Sequence, residues 1–202
     1  AFYTATVNSP LYYRLEVTCT LGSSTPTYSS AVQVLVNSFQ NCYCTSTATS
    51  TADEEILRVT LGTLNNLSTC TSVGPGPGSV QNMYSNYKVG TTIPNLPQTE
   101  VMSISVQVGT CGGNYTNRTA VFVDWNQNGL FTDAGENPIL TTPTSGPNTF
   151  NGSLTIPAGA VLGNTVMRVI VVETSAAIAP CGTYLWGETE DYLVNITIPP
   201  PC

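Results

Sequence analysis

Residues 120–136 read Ala-Val-Phe-Val-Asp-Trp-Asn-Gln-Asn-Gly-Leu-Phe-Thr-Asp-Ala-Gly-Glu, an apolar run followed by a segment rich in Asn, Asp and Gly. The segment opens as an apolar strand. It then carries an oxygen-bearing side chain at every second position, at Asp124, Asn126 and Asn128. Gly129 follows, where a sharp turn favours a residue without Cβ. The pattern predicts a β-strand that leads into a loop lined with oxygen atoms.

The loop contains the ligand types that calcium prefers. Calcium binds about six to eight oxygen atoms, from alternate side chains that turn inward around a Gly at the tightest point. The match to an EF-hand loop is imperfect, because the twelfth position is Gly135, Glu136 comes one residue late, and a strand leads in. A β-turn without metal is the alternative. The predicted Ca2+ ligands are Asp124, Asn126, Asn128, Leu130, Asp133 and Glu136.

The composition argues against several classes of function. The chain has 202 residues, with 5 Lys and Arg against 12 Asp and Glu, and a net charge of −7. This charge disfavours nucleic acid and anionic membrane as partners. Histidine is absent, which removes His-based catalytic triads and His metal ligands. No apolar run reaches the roughly 18 residues that a membrane span needs, so no span is predicted.

Residue patterns indicate an all-β fold. Val, Ile, Thr and Tyr are abundant, and no long helical periodicity occurs. Residues 101–108 alternate with a period of two, whereas residues 165–173 are apolar almost throughout and are predicted to form a central strand. Arg168 lies in this second strand and needs an acidic partner if it is buried. The candidate partners are Glu188, Glu190 and Asp191.

Acidic side chains also raise the question of catalysis. Asp53, Glu54 and Glu55 precede a predicted strand at residues 56–61, and we interpret them as a solvated strand entry, with a contribution to a metal or ligand site as the alternative. Glycoside hydrolysis needs two carboxyls across a cleft. The acids of this chain lie in turn-rich segments that suit ligand or metal loops at least as well. Ser and Cys nucleophiles lack a His partner, so we predict that the protein is not an enzyme.

Seven cysteines in a chain with so few charges indicate an oxidising, extracellular setting. We favour disulfides Cys44–Cys70 and Cys111–Cys181, each of which ties a loop to a distant strand, with Cys19–Cys42 as a third. Sequence alone does not fix the connectivity. Cys202 is left over and is available to a further module or to another chain.

The first 39 residues contain three predicted strands, at residues 2–7, 12–19 and 31–36. They resemble the last strands of an immunoglobulin-like or fibronectin type III-like module whose earlier strands are missing. Two or three strands with one apolar face are marginally stable alone. We therefore expect them to pack on the following domain or to be completed by a neighbouring chain. The alternative is that the chain is a fragment of a longer one.

Several motifs stand in order along the chain. The central one is Phe-Val-Asp-Trp-Asn-Gln-Asn-Gly-Leu-Phe at residues 122–131, followed by Gly-Glu-Thr-Glu-Asp-Tyr at residues 187–192. They resemble the GEVED domain of secreted and cell-surface Bacteroidetes proteins, with Thr189 where the name-giving motif has Val. Further pieces are Tyr43-Cys44-Thr45, Tyr84-Ser85-Asn86-Tyr87, Ile156-Pro157-Ala158-Gly159, Met167-Arg168-Val169 and Cys181-Gly182-Thr183-Tyr184.

The resemblance covers about residues 40–198 and implies an extracellular β-sandwich module, often repeated or appended to enzymes and adhesins. It implies no agreed activity. We predict an all-β, antiparallel, jelly-roll-like β-sandwich at residues 40–198, preceded by partial immunoglobulin-like strands at residues 1–39. A stiff Pro-rich linker follows at residues 199–202.

Two functions follow as hypotheses for a protein of the bacterial cell surface. The first is a non-catalytic, calcium-stabilised building block of an adhesin or filament, with neighbouring copies or modules as its partners. The second is a carbohydrate-binding module appended to a secreted hydrolase, because aromatic side chains at the ends of a sandwich stack on sugar rings. The candidate ligand-binding residues are Trp186, Tyr184, Glu188 and Glu190.

Overall fold

The computed structural model of the chain describes residues 9–18, 25–36, 38–136 and 138–201. Over these residues the fold is all-β, as predicted, and the only helical element is a 3-10 turn at Phe39–Asn41. The chain divides into two compact units, unit 1 at Ala1–Cys42 and unit 2 at Tyr43–Cys202. The boundary that we predicted lay between residues 39 and 40. No helix in the described ranges is long and apolar enough to cross a membrane.

The described residues of unit 1 form two small antiparallel sheets. β1 (Leu11–Tyr13) pairs with β4 (Val32–Val34), and β2 (Glu16–Val17) pairs with β3 (Thr27–Tyr28). The strand predicted at residues 12–19 is therefore interrupted after Tyr13. The strand predicted at residues 2–7 lies outside the described residues, and the immunoglobulin-like assignment of unit 1 stays a prediction.

Short strands leave the apolar side chains of unit 1 in contact with solvent. Strands of two or three residues have few cross-strand neighbours with which to bury a face. The exposed large apolar residues of this unit are Leu11, Tyr12, Leu15, Val17, Tyr28, Val32, Val34, Leu35 and Val36.

The described residues of unit 2 form a sandwich of two sheets and a separate two-stranded sheet. The strands of unit 2 are β5 (Ser46–Ala48), β6 (Glu54–Leu61), β7 (Leu64–Leu67), β8 (Tyr84–Tyr87), β9 (Asn95–Pro97), β10 (Val101–Thr110), β11 (Thr116–Val123), β12 (Ile139–Leu140), β13 (Thr144–Ser145), β14 (Asn148–Thr155), β15 (Gly163–Val172), β16 (Gly182–Tyr184) and β17 (Gly187–Thr197). One sheet has four strands in the order β14-β10-β6-β7, and the other has the path β12-β11-β15-β17-β8. β13 also pairs with β11, and β9 with β17.

The longest strands pair antiparallel, as predicted, but some short ones run parallel to their partners. β8 and β9 both lie parallel to β17, and β16 lies parallel to β5. β15 is central in the larger sheet, between β11 and β17, which confirms the prediction from its apolar sequence.

The main core lies between the two sheets. Ile56, Val59, Ile104 and Val106 contribute from the smaller sheet, and the larger sheet provides Val121, Val169, Tyr192 and Val194, all in one buried cluster. Full burial of a large aliphatic side chain contributes about 1.5–3 kcal/mol. This core therefore accounts for much of the stability of unit 2.

A second, smaller core lies on the other face of the larger sheet. It contains Ala120, Phe122, Val166, Ile170 and the loop residue Phe131, with partly buried side chains packed against it. Because β15 is buried on both faces, its sequence is apolar at successive positions and does not alternate. The acidic loop and the chain near Cys181 both lie on this side of the sheet.

Two disulfides join described residues of unit 2, but their pairing differs from the prediction. The bonds are Cys44–Cys181 and Cys70–Cys111, each with a Cα–Cα distance of 5.6 Å. The predicted pairs Cys44–Cys70 and Cys111–Cys181 are therefore wrong, although the same four residues are used. The parallel pairing of β5 with β16 brings Cys44 beside Cys181, a long-range contact that spacing does not encode.

Of the other three cysteines, Cys42 lies within the described residues. Cys42 is exposed and forms no disulfide with any described residue. Its predicted partner Cys19 and the leftover Cys202 lie outside the described residues. The two observed disulfides are consistent with an oxidising, extracellular setting.

Candidate functional site

The acidic loop begins where β11 ends, and the fully buried carboxylate of Asp124 organises it. Oδ1 of Asp124 accepts from the backbone N–H groups of Gln127 at 2.6 Å and Asn128 at 3.3 Å. Oδ2 accepts from the N–H of Gly129 at 2.9 Å and from the hydroxyl of Tyr43 at 2.6 Å. A carboxylate offers about four acceptor positions, so those of Asp124 are all in use.

The outer part of the loop brings the other predicted side chains together. The Nδ2 groups of Asn126 and Asn128 both donate to Oδ2 of Asp133, at 3.1 Å and 2.6 Å. Each Oδ1 of these two residues accepts one backbone N–H, from Asn128 and from Leu130. The carboxylate of Glu136 accepts from the backbone N–H of Trp125 at 2.9 Å and closes the loop.

The free acceptor positions in this loop decide whether a hard cation fits. The four donors to Asp124 hold the turn, and its role as a metal ligand stays a prediction. Each amide oxygen of Asn126 and Asn128 accepts a single N–H and retains one lone pair, and Asp133 and Glu136 also retain oxygen positions. Within the described ranges, no three His, Cys, Asp or Glu side chains are grouped so as to hold a metal ion. The free oxygen positions of the loop thus belong to two carboxamides, Asn126 and Asn128, and to two carboxylates, Asp133 and Glu136.

Arg168 forms a buried, bidentate ion pair with Asp191. Its Nε and Nη2 donate to the two carboxylate oxygens at 2.7 Å and 2.8 Å, and both side chains are about 2% exposed. Nη1 donates to the carbonyl oxygens of Pro180 at 2.8 Å and Cys44 at 3.0 Å. This confirms the prediction that Arg168 has an acidic partner, and it selects Asp191 among the three candidates. The ion pair also connects the Cys44–Cys181 disulfide to the larger sheet.

Side chains of β17 alternate between two environments. Asp191 faces Arg168 and the smaller core, whereas Glu188, Glu190 and Tyr192 face the opposite side, toward the main core. Gly187 begins the strand with φ = +128°, and a Cβ there would collide with the carbonyl oxygen of Val171. A glycine is therefore required at the first position of this motif.

A cluster of three buried glutamates lies on the main-core side of β17. Glu55 of β6 hydrogen-bonds the carboxyl of Glu188, which also accepts from the hydroxyl of Ser85 at 2.8 Å and the backbone N–H of Ile56 at 3.1 Å. Glu190 accepts from the hydroxyl of Tyr192 at 2.6 Å. No described group pairs with Oε1 of Glu55 or Oε1 of Glu190. We call Glu55, Glu188 and Glu190 the glutamate cluster.

Burial controls the protonation of this cluster. Burial first, and then the charges of Glu188 and Glu190, together raise the pKa of Glu55 to about 11. Burial also raises the pKa of Glu188 and, well above its ordinary range, that of Glu190. Because carboxyls this close cannot all ionise without paired cations, Glu55 carries a proton at neutral pH and can donate to Glu188.

The predicted ligand-binding residues do not share one open surface. Glu188 and Glu190 are buried, so they are core groups and not contacts for a saccharide, and this part of the prediction is corrected. Tyr184 is half-buried, with its hydroxyl within 2.7 Å of the Thr189 hydroxyl. Trp186 is half-buried and retains some access to solvent.

Sequence reasoning missed the partners that complete these sites. Glu54 and Glu55 are buried in β6 and do not form a solvated strand entry. A register shift in the pairing of β6 with β10 interrupts the two-residue alternation near Leu57, so no periodic signal marks them as inward. The tyrosine hydroxyl that caps Asp124 comes from Tyr43, 81 residues earlier in the chain, and only the motif around Tyr43 pointed to it.

Comparison with known proteins supports the family resemblance. Residues 118–195 match the family model of the GEVED domain. The matched segment runs from β11 into β17, and it contains the acidic loop, Arg168 and the glutamates of β17. The resemblance is thus confirmed over these residues, whereas the predicted extent began at residue 40. A search of curated proteins found no match.

Proposed function

We propose that the protein is a non-catalytic structural or adhesive module of a bacterial surface adhesin or filament, and that neighbouring copies complete unit 1. The observation that carries this proposal is the set of exposed apolar side chains in and next to the two small sheets of unit 1, including Leu15, Val32 and Leu35. Two-stranded sheets with an exposed apolar face are at best marginally stable on their own. Addition of a strand from another molecule supplies main-chain hydrogen bonds and covers apolar side chains together.

The condition of the acidic groups supports a role without catalysis. Glu188 and Glu190 are buried on the main-core side of β17, and the carboxylate of Asp191 forms an ion pair with Arg168. Paired carboxyls act in hydrolysis when they face a substrate across a cleft, which an enclosed cluster does not offer. These groups therefore serve the packing of unit 2 in this proposal.

The assembly is tested by electron microscopy of native material together with light scattering of the 202-residue chain. We expect ordered fibres whose axial repeat is one module, and we expect Val32→Glu to abolish them because it places a charge on the open face. Val73→Glu is the matched control, since Val73 lies in unit 2 with 53% exposure against 65% for Val32. The proposal is contradicted if the native chain is monomeric under all conditions, or if Val32→Glu and Val73→Glu lose fibres to the same extent.

A carbohydrate-binding module appended to a secreted hydrolase is the second candidate. The partial exposure of Trp186 favours it, because an accessible indole ring can stack on a sugar. A monodisperse monomer with saturable binding in a glycan screen, lost in Trp186→Ala, would support this candidate over the first.

We further propose that the outer part of the acidic loop holds a calcium ion through Asn126, Asn128, Asp133 and Glu136, with a Kd on the order of 10⁻⁴–10⁻³ M. Calcium is expected to raise Tm and a chelator to reverse the rise, and Asn128→Ala should remove this response. Asp124→Ala should lower stability by about 1.5–3 kcal/mol with or without calcium, because it removes charge-assisted hydrogen bonds inside the loop. If chelator leaves Tm of the native chain unchanged in millimolar calcium, the loop is a turn without metal.

A further inference from the structure

The outer face of the four-stranded sheet carries two adjoining depressions. One has a volume of about 340 Å³ and is lined by residues that include Ser103, Asn151 and Ser153. The other has a volume of about 370 Å³ and is lined by Arg58, Thr60, Ser105, Gln107 and Thr149. Thr60 and Ser105 belong to both, so the two form one groove across β6, β10 and β14. We call it the outer-sheet groove.

Short hydroxyl and carboxamide side chains dominate this groove. They alternate along each strand with core residues such as Ile104, Val106 and Leu154. None of the seven has a side-chain hydrogen bond to another described residue, so their donors and acceptors are available to a ligand. The seven are Thr60, Ser103, Ser105, Gln107, Thr149, Asn151 and Ser153.

Arg58 gives the groove a charge opposite to that of the whole protein. The chain has a net charge of −7, yet no Asp or Glu lines either depression and Arg58 is the charged residue among the lining side chains. Nε of Arg58 donates to Oδ1 of Asn65 at 2.9 Å, which fixes the plane of the guanidinium group. Its two terminal nitrogens remain free for the parallel pair of hydrogen bonds that a carboxylate accepts.

We propose that the outer-sheet groove binds an acidic polysaccharide, with a uronate carboxylate on Arg58 and sugar hydroxyls on the neighbouring hydroxyl and carboxamide groups. Groups that both donate and accept match the hydroxyls of a sugar. An acidic peptide fits less well, because the groove lacks apolar pockets for its side chains and a peptide strand would instead pair at a sheet edge. The proposal extends beyond the proposed assembly of unit 1 and is independent of it.

Calorimetry on the full chain tests the proposal, with chelator present so that calcium does not bridge protein and uronate. We expect saturable binding of an oligogalacturonate, and weaker or no binding of a neutral oligoglucoside. Arg58→Gln should lower the affinity for the oligogalacturonate about tenfold or more, since it removes a charge-assisted pair of hydrogen bonds. Arg58 is exposed, so this variant should keep its fold, which a melting curve verifies.

Arg14→Gln is the matched control, because Arg14 is an exposed arginine of unit 1 and its loss changes net charge equally. Its affinity should match that of the native chain. If both variants lose the same affinity for the oligogalacturonate, the binding is a non-specific effect of net charge. If poly-glutamate binds the native chain as tightly as the oligogalacturonate does, the groove does not recognise a sugar. Absence of oligogalacturonate binding would overturn the proposal. Loss in Trp186→Ala but not Arg58→Gln would place the ligand at Trp186 instead.

Discussion

Replacing Asp191 with alanine is expected to lower the free energy of unfolding of unit 2 by about 3–5 kcal/mol. The substitution leaves the guanidinium of Arg168, which is 2% exposed, without an anionic partner. The carbonyl oxygens of Cys44 and Pro180 still accept from Nη1, but they carry no formal charge that neutralises it. Urea denaturation at neutral pH measures the loss, followed by Trp fluorescence because Trp125 and Trp186 both lie in unit 2.

A double variant separates the buried charge from the lost contacts. Arg168→Met with Asp191→Leu removes both charges and keeps apolar volume, so it should be more stable than Asp191→Ala alone. If Asp191→Ala lowers the free energy of unfolding by less than about 1 kcal/mol, the ion pair behaves like an exposed one and the prediction is wrong.

The stability of unit 2 is expected to fall as the pH rises from mildly acidic to alkaline. Burial, followed by the charges of Glu188 and Glu190, raises the pKa of Glu55 from an ordinary value of 4.5 to about 11. Between pH 4.5 and about pH 11, the carboxyl of Glu55 keeps its proton in the folded state and releases it in the unfolded chain. The stabilisation is thus complete below pH 4.5 and is lost toward pH 11, with a slope of about 1.4 kcal/mol per pH unit for each retained proton.

Urea denaturation at about pH 5, 7 and 9 measures this slope, and Glu190→Gln identifies its origin. The amide keeps the shape of the protonated carboxyl but cannot ionise, so the slope should become shallower and the variant should gain stability relative to the native chain at high pH. Glu100→Gln is the control, because Glu100 is exposed, and it should leave the slope unchanged. A stability that increases with pH across this range would contradict the protonated cluster.

The sequence predicted those features that depend on local pattern. Alternation at residues 101–108 identified β10, and the continuous apolar run in β15 identified a strand buried on both faces. Burial of Arg168 within that run required an acid, and Asp191 provides it. These inferences hold because the apolar pattern of a strand indicates which of its faces are buried, and a buried charge needs a partner wherever that partner lies in the chain.

Other features depend on contacts between distant residues. The exchange of disulfide partners follows from the parallel pairing of β5 and β16, for which the sequence has no period. Glu55 was predicted to lie in a solvated strand entry, whereas the fold places it beside Glu188 and Glu190 of β17. The alternating Asp124, Asn126 and Asn128 are compatible with a metal loop and equally with a hydrogen-bonded turn. In the structure the hydroxyl of Tyr43, which is distant in sequence, donates a hydrogen bond to Asp124.

The Cys44–Cys181 disulfide also determines how unit 2 responds to a pulling force. The bond joins residues 137 positions apart, so tension that enters at Tyr43 crosses to Cys181 and bypasses the chain between them. The segment from Gly182 to Pro201 alone carries the load, and it extends to at most about 70 Å when fully drawn out. β17 lies in this segment, and β15 holds it along most of its length. A stretched unit 2 is therefore a short tether with a fixed limit of extension.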